Sequence, residues 1–192
     1  MYKYILVIAI VLISCSHPTY KNPHVIINTR LGDIELELYP DKAPKTVAAF
    51  LSNVDAGLYS NGAFYRVLKA EQFPTDFNPG IIQGGIWQTA NKLQAPVSGI
   101  VHESTKQTGL SHTDGIISMA RKDTGTATTE FFICIGDQSS LDFGKGGNHY
   151  GQGFAAFGKV FKGMSIVKKI QSQKSHGENF DEKIEIRKVE KL

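Results

Sequence analysis

The stretch "DIELELY", residues 33–39, alternates apolar and acidic side chains without a break, and no other feature narrows the fold as much. Successive side chains of an extended strand point to opposite faces, so Ile34, Leu36 and Leu38 share one face while Asp33, Glu35 and Glu37 take the other. That pattern belongs to a half-buried strand, with one face on a core and one toward solvent. "HVIINT" before it is also strand-like, and Leu31-Gly32 supplies a turn, which together predict a hairpin. The pattern then changes period. In "DKAPKTVAAFLSNVDAGLY", Asp41 can cap, Pro44 suits a first helical turn, and Val47, Phe50, Leu51 and Val54 recur at helical spacing. Gly57 closes this helix.

Short strands follow at residues 63–69, 81–84, 115–120, 130–135 and 154–160, separated by Gly, Pro, Asn and Thr. A second amphipathic helix begins near Lys162, with Met164, Ile166, Val167 and Ile170 on its apolar side, and "KIEIRKVEKL" ends the chain as a strand. About eight short strands with a helix near each end favour a closed barrel whose open ends the helices cover. A chain of 192 residues suffices for one well-buried domain and is short for two. Its 41% apolar and 20% charged residues are those of an ordinary globular protein. The net charge of +3 is small, and Lys and Arg alternate with Asp and Glu instead of forming a basic stripe, so nucleic acid is not an expected partner.

The first residues stand apart. Lys3 is followed by an apolar run, Tyr4 to Ile13, too short to span a bilayer, which takes ~20 residues, but suited to a signal-peptide core. The ending Leu12-Ile13-Ser14-Cys15 resembles a bacterial lipoprotein box, in which the cysteine becomes the lipid-carrying first residue. An ordinary secretory signal with a chance cysteine is the alternative. The division expected is a signal peptide at 1–14, a lipidated start and short tether at 15–23, and one domain at 24–192. Lipid on Cys15 implies membrane attachment in a bacterial cell envelope, on the periplasmic side. Cys134, the only other cysteine, lies in the apolar run "FFICIG" and reads as a buried, inert thiol.

Five motifs occur in order with compatible spacing: "GDIELELYPDKAPKTVAAF", "FYRV" leading to "IIQGG", "GIISMAR", "TEFFICIGDQSSLD" and "FAAFGKV". Together they resemble the cyclophilin family of peptidyl-prolyl cis-trans isomerases, from about residue 25 to the C-terminus. The resemblance implies a mainly β fold, a closed eight-stranded antiparallel barrel capped by two α-helices. It also implies that proline-containing polypeptides are the substrates and that no cofactor is used; a monomer is expected.

The chemistry gives the motifs a reason. Rotation about an Xaa-Pro bond crosses a barrier of ~18–20 kcal/mol and takes tens of seconds or longer unaided. At the twisted state the prolyl nitrogen becomes a better hydrogen-bond acceptor, so a fixed guanidinium donor favours that state over either planar form. By resemblance Arg66 takes the catalytic arginine's position, and Gln83 would orient it and the substrate backbone. Read alone, Arg66 is better explained by a surface ion pair with Glu71 or Glu130, and Gln83 can be a strand-end residue serving its own loop. Phe132 matches the floor of the proline pocket, with Ile81 and Leu141 as walls, though each could be barrel core. Ala120 and Arg121 follow Met119 where the family's main chain pairs with an extended substrate, so the Arg121 side chain is free to vary.

Several positions depart from the family. Tyr65 stands for a usual His, Glu130 for a common Gln, and Phe154 for another His at the substrate rim. Pro79-Gly80 runs directly into Ile81-Ile82, so one pocket aromatic is missing; Phe73 or Phe77 in the 70–79 insertion is the candidate replacement. Ser140 falls where many members carry a cyclosporin-contacting Trp, and the only tryptophan, Trp87, lies elsewhere, so weak cyclosporin binding is expected. His102, His112, His149 and His176 are scattered without metal-ligand spacing, which argues against a metal site. "FGKGGNHYGQG" lacks the ending of a phosphate loop and reads as an extended loop beside the pocket. Ser118 and Ser139 have no nucleophile setting, which leaves a small-molecule hydrolase with little support. A peptide-binding module or holdase on the same fold is the stronger rival to the isomerase.

Overall fold

A computed structural model of the chain describes residues 20–69, 80–87, 89, 92, 93, 95, 96, 98–145 and 151–192. The predicted hairpin is present as β1 (His24–Thr29) and β2 (Gly32–Leu38). It is followed by α1 (Pro44–Asp55), β3 (Gly62–Lys69), β4 (Gly80–Gly85), a single-turn α2 (Thr105–Thr108), β5 (Ile116–Met119) and β6 (Phe131–Ile135). Then come β7 (Ala155–Lys162), α3 (Met164–Gln171), a two-residue β8 (Ser175–His176) and the long β9 (Asn179–Lys191). The order β1-β2-β7-β5-β6-β4-β3-β9 closes on itself through β9 and β1, giving an eight-stranded antiparallel barrel, with β8 as a short hairpin partner of β9. Closure removes the open sheet edges that would otherwise invite pairing with other chains. The short helix α2 is one element that the apolar periodicity does not announce. Its single turn is held by a capping box between Ser104 and Gln107, a local signal rather than an amphipathic stripe.

Alternation sorts the side chains between two cores. Val25, Ile27, Ile34, Leu36 and Leu38 join the main cluster, and so do Val47, Phe50 and Val54 of α1 and Val167 and Ile170 of α3. Phe50 lies at its centre, with its ring 5.0 Å from Phe157, 5.3 Å from Tyr59 and 5.9 Å from Phe131. On β6, Phe131, Ile133 and Ile135 enter this cluster, whereas Phe132 and Cys134 point to the opposite face and form a second cluster with Ile81 and Ile116. Burial pushes the Cys134 thiol well above its usual range, which keeps it unreactive.

Two local expectations are corrected. Asp41 does not cap α1. The carboxylate of Glu103 does so from across the chain, accepting the N–H groups of Lys45 (3.2 Å) and Thr46 (2.8 Å) and the Thr46 hydroxyl (2.7 Å). Glu35, on the predicted solvent face of β2, is buried. His24 and Lys162 hold its two oxygens at 2.8 and 3.1 Å, and Tyr20 stacks on the His24 ring.

Candidate active site

The site is built on the outer face of the sheet, where β3, β4, β5 and β6 lie side by side. Strict alternation would send Tyr65 and Arg66 to opposite faces. The registers of β3 against both β4 and β9 shift between Phe64 and Arg66, so Tyr65 is the extra residue of a β-bulge. Phe64 and Val67 therefore remain in the main core, while Tyr65 and Arg66 both reach one cavity of about 620 Å³. Opposite Arg66 in the ladder stands Gln83.

Hydrogen bonds fix the polar wall. Arg66 Nη1 donates to Gln83 Oε1 (2.9 Å), Gln83 Nε2 donates to the Tyr65 hydroxyl (2.9 Å), and that hydroxyl donates to Glu130 Oε2 (2.6 Å). Glu130 Oε1 accepts the Ile86 N–H (2.9 Å) and the Thr129 hydroxyl (3.1 Å). Burial and the nearby Glu130 charge push the Tyr65 phenol well above its usual range, so it stays protonated. Burial also raises the Glu130 carboxyl above the usual carboxylate range, against the pull of its hydrogen-bond donors.

On its other edge Arg66 meets a partner that sequence did not suggest. Nε and Nη2 both donate to Glu178 Oε2, at 2.9 and 2.7 Å, and the Glu178 carbonyl accepts the Val67 N–H (2.8 Å). Glu178 belongs to the tight β8–β9 turn, and it, not Glu130, is the ion-pair partner among the described residues. Glu130 serves Tyr65, and Glu71 lies outside the described residues.

The apolar side faces this wall. Phe132 is 2% exposed and forms the floor, with Ile81 and Leu141 beside it. Phe154 stands edge-on to it, centroids 5.3 Å apart at 89°. The Arg121 side chain is not idle. It donates through Nε and Nη2 to the Gly153 carbonyl and lies 4.9 Å over the Phe154 ring, which braces that rim. Ala120 completes the edge, its N–H donated to the Glu130 carbonyl at 2.8 Å. The ten site residues named from sequence between Tyr65 and Phe154 thus line one cavity.

Trp87, set aside in the sequence, also lines the cavity, with 46% of its surface exposed and the Lys92 ammonium 3.4 Å from its ring centre. Its position two residues past "QGG" was the available signal. Beneath Phe132 lies a second surprise. The His112 ring stacks on it at 5.9 Å, Nδ1 lies 2.6 Å from Asp142 Oδ1, and Nε2 lies 3.0 Å from the Ser118 hydroxyl. Ser118 therefore does have a His-Asp setting. Both Ser118 and His112 are fully buried, however, so no substrate carbonyl can reach the hydroxyl. Burial lowers the His112 pKa despite Asp142, and a neutral ring donating from Nδ1 and accepting at Nε2 satisfies all three groups. The trio supports the pocket floor.

Cys15, Phe73, Phe77, His149 and the 70–79 insertion lie outside the described residues. Among the described residues, no group of three His, Cys, Asp or Glu could hold a metal ion, and no helix is long and apolar enough to cross a membrane.

A closed antiparallel barrel carrying an arginine-walled, phenylalanine-floored groove on its outer face defines a narrow class of proteins. The sequence model of the family described as cyclophilin type peptidyl-prolyl cis-trans isomerase/CLD matches residues 24–191. A peptidyl-prolyl cis-trans isomerase of Acinetobacter baylyi is 37% identical over 150 residues, which cover 78% of this chain and 72% of that protein. Peptidyl-prolyl cis-trans isomerase B of Escherichia coli is 36% identical over 148 residues, covering 77% and 83%. A cyclophilin-type isomerase of Cryptosporidium parvum has the same fold, with a TM-score of 0.68 at 23% identity over 88% of this chain and 97% of that one. The chain belongs to the cyclophilin-type peptidyl-prolyl cis-trans isomerases.

Proposed function

We propose that this isomerase turns Xaa-Pro bonds in polypeptides outside the cytoplasm, with Arg66 as the donor to the prolyl nitrogen and Phe132 as the floor under the proline ring. The observation that carries this reading is the brace on Arg66. Gln83 and Glu178 take three of its five N–H donors, which leaves one on each Nη for a substrate in the cavity. The apolar floor holds the ring while the preceding carbonyl swings, and the guanidinium favours the pyramidal nitrogen of the twisted state. No covalent bond is made or broken. A second Cryptosporidium parvum structure, 25% identical with a TM-score of 0.61, was solved in the presence of the dipeptide Ala-Pro, the smallest unit such a pocket would hold.

Refolding of a protein limited by a slow prolyl step tests the reading. Substoichiometric amounts of this chain are expected to accelerate the slow phase. Suppressed aggregation with an unchanged slow phase would assign a holdase instead.

The extracytoplasmic assignment is supported by the apolar run ending at Cys15. Lipid there would hold the barrel close to a membrane through the 15–23 tether. Cells fed radioactive palmitate are expected to label the wild-type chain and not Cys15→Ala; equal labelling of both would remove the anchor.

A further inference from the structure

We propose that Glu130 is a positioning residue for Arg66: its carboxylate, able only to accept, sets the direction of the hydrogen-bond chain through Tyr65 and Gln83 that keeps the guanidinium in place. The inference rests on the reading of Arg66 as the donor.

Each link follows from donor and acceptor capacity. An ionised Glu130 compels the Tyr65 hydroxyl to point its proton at Oε2. The Tyr65 oxygen is then free to accept, which turns the Gln83 amide so that Nε2 faces Tyr65. The Gln83 oxygen is thereby left facing Arg66, the only orientation in which it can receive Nη1–H. Three side chains are thus oriented from one carboxylate, and the chain runs unidirectionally from Arg66 to Glu130. The shortest of the three bonds, 2.6 Å, is the one made to the carboxylate.

The fold makes room for this group. Gly85, at φ +149°, lacks a Cβ that would lie 2.5 Å from both Glu130 oxygens. The Ile86 N–H and the Thr129 hydroxyl then hold Oε1. The titratable and charged groups around Glu130 are the Tyr65 phenol and Arg66 on β3, the Tyr59 phenol after α1, and Arg121, Lys122 and Asp123 across the cavity.

Protonation reverses the logic. The bonded groups around Glu130 are all donors, and only a hydroxyl can turn to accept the new proton. The shortest bond, to Tyr65, places that oxygen nearest. A Tyr65 hydroxyl that accepts from Glu130 donates to Gln83 instead, and the amide must flip. Its NH2 then faces the Arg66 donor, and the Gln83 half of the brace is lost, which leaves the guanidinium held by Glu178 alone. Because burial raises the Glu130 carboxyl, this occurs as pH falls, at a pH above the ordinary carboxylate range.

The pH profile of kcat/KM for a proline peptide tests the chain in wild type, Glu130→Gln and Tyr65→Phe. The wild type is expected to lose about fivefold through an acid limb above the usual carboxylate range. Glu130→Gln, which cannot ionise, is expected to stay flat there. Tyr65→Phe is expected to be about fivefold slower at neutral pH, with KM little changed and the limb gone. The Arg66 Nε–H and Gln83 amide resonances should move through the same limb in wild type and hold still in Glu130→Gln. An absent limb in wild type, as would follow if Thr129 took the proton, overturns the proposal, as does a limb that survives in Glu130→Gln. If Glu130→Gln does not fold, a wild-type profile in Tyr65→Phe overturns it alone. Full activity in Arg66→Ala would instead remove the reading beneath it.

Discussion

Arg66→Ala is expected to lower kcat/KM for an Xaa-Pro peptide by roughly 100-fold, about 2.7 kcal/mol, the scale of losing one preorganised donor to a transition state. The loss should fall on kcat, because the floor made by Phe132 and its neighbours still receives the proline ring. Arg66→Lys keeps the charge but loses the planar fork. A lysine cannot meet Gln83 and Glu178 together and still present a donor to the cavity, so it should recover little. The fold should barely respond. The Arg66 side chain is 35% exposed, its partner Glu178 is 57% exposed, and such pairs contribute about 0–1 kcal/mol. An unchanged denaturation midpoint with a collapsed rate is therefore the expected combination. A near-normal rate in a folded Arg66→Ala would sink the assignment of the donor.

The contrast between Arg66 and its partners shows what a single sequence carries. The alternation of residues 33–39 is local, and it produced the hairpin and the core face of β2, because a strand's period depends only on the strand. The same reasoning misplaced Glu35. Its burial comes from His24 across the hairpin, Tyr20 stacked on that ring and Lys162 on the neighbouring β7, contacts that the alternation of one strand does not carry. Asp41 stood where a cap is expected, yet Glu103, 57 residues beyond Thr46 in the chain, does the capping. Motif spacing brought ten side chains to one cavity, half of them on β3, β4 and β6 and the other half in the segments that flank β5, β6 and β7. Sequence could not indicate the bulge at Tyr65, because nothing in "FYRV" distinguishes an extra residue from a paired one. Nor could it find Glu178, which is distant in sequence and reaches Arg66 only through the β8–β9 turn. The Ser118-His112-Asp142 chain was hidden for the same reason, and its burial is what separates a floor support from a nucleophile.

Phe132→Ala should be costly to fold and function together, because the ring belongs to both. Its inner contacts are with the second cluster and the His112 ring, and its upper surface is the pocket floor. Truncating a buried Phe costs about 3–5 kcal/mol, transfer and cavity combined. This site has little means of collapse. His112 is held by Asp142 and Ser118 from either side, and Phe154 is held by Arg121 and cannot drop inward without leaving it. The cavity would therefore stay open, and the penalty should lie toward the upper end of that range. In function, the loss should fall mainly on KM, since the proline ring loses its floor while Arg66 keeps its brace on β3 and β4. Phe132→Leu keeps most of the apolar volume and should lose much less on both counts. Denaturant midpoints paired with kinetics on the folded fraction separate the two effects. A Phe132→Ala protein as stable as wild type would show that the His112 support does not depend on the ring it carries. An unchanged KM would show that the proline binds somewhere other than above Phe132.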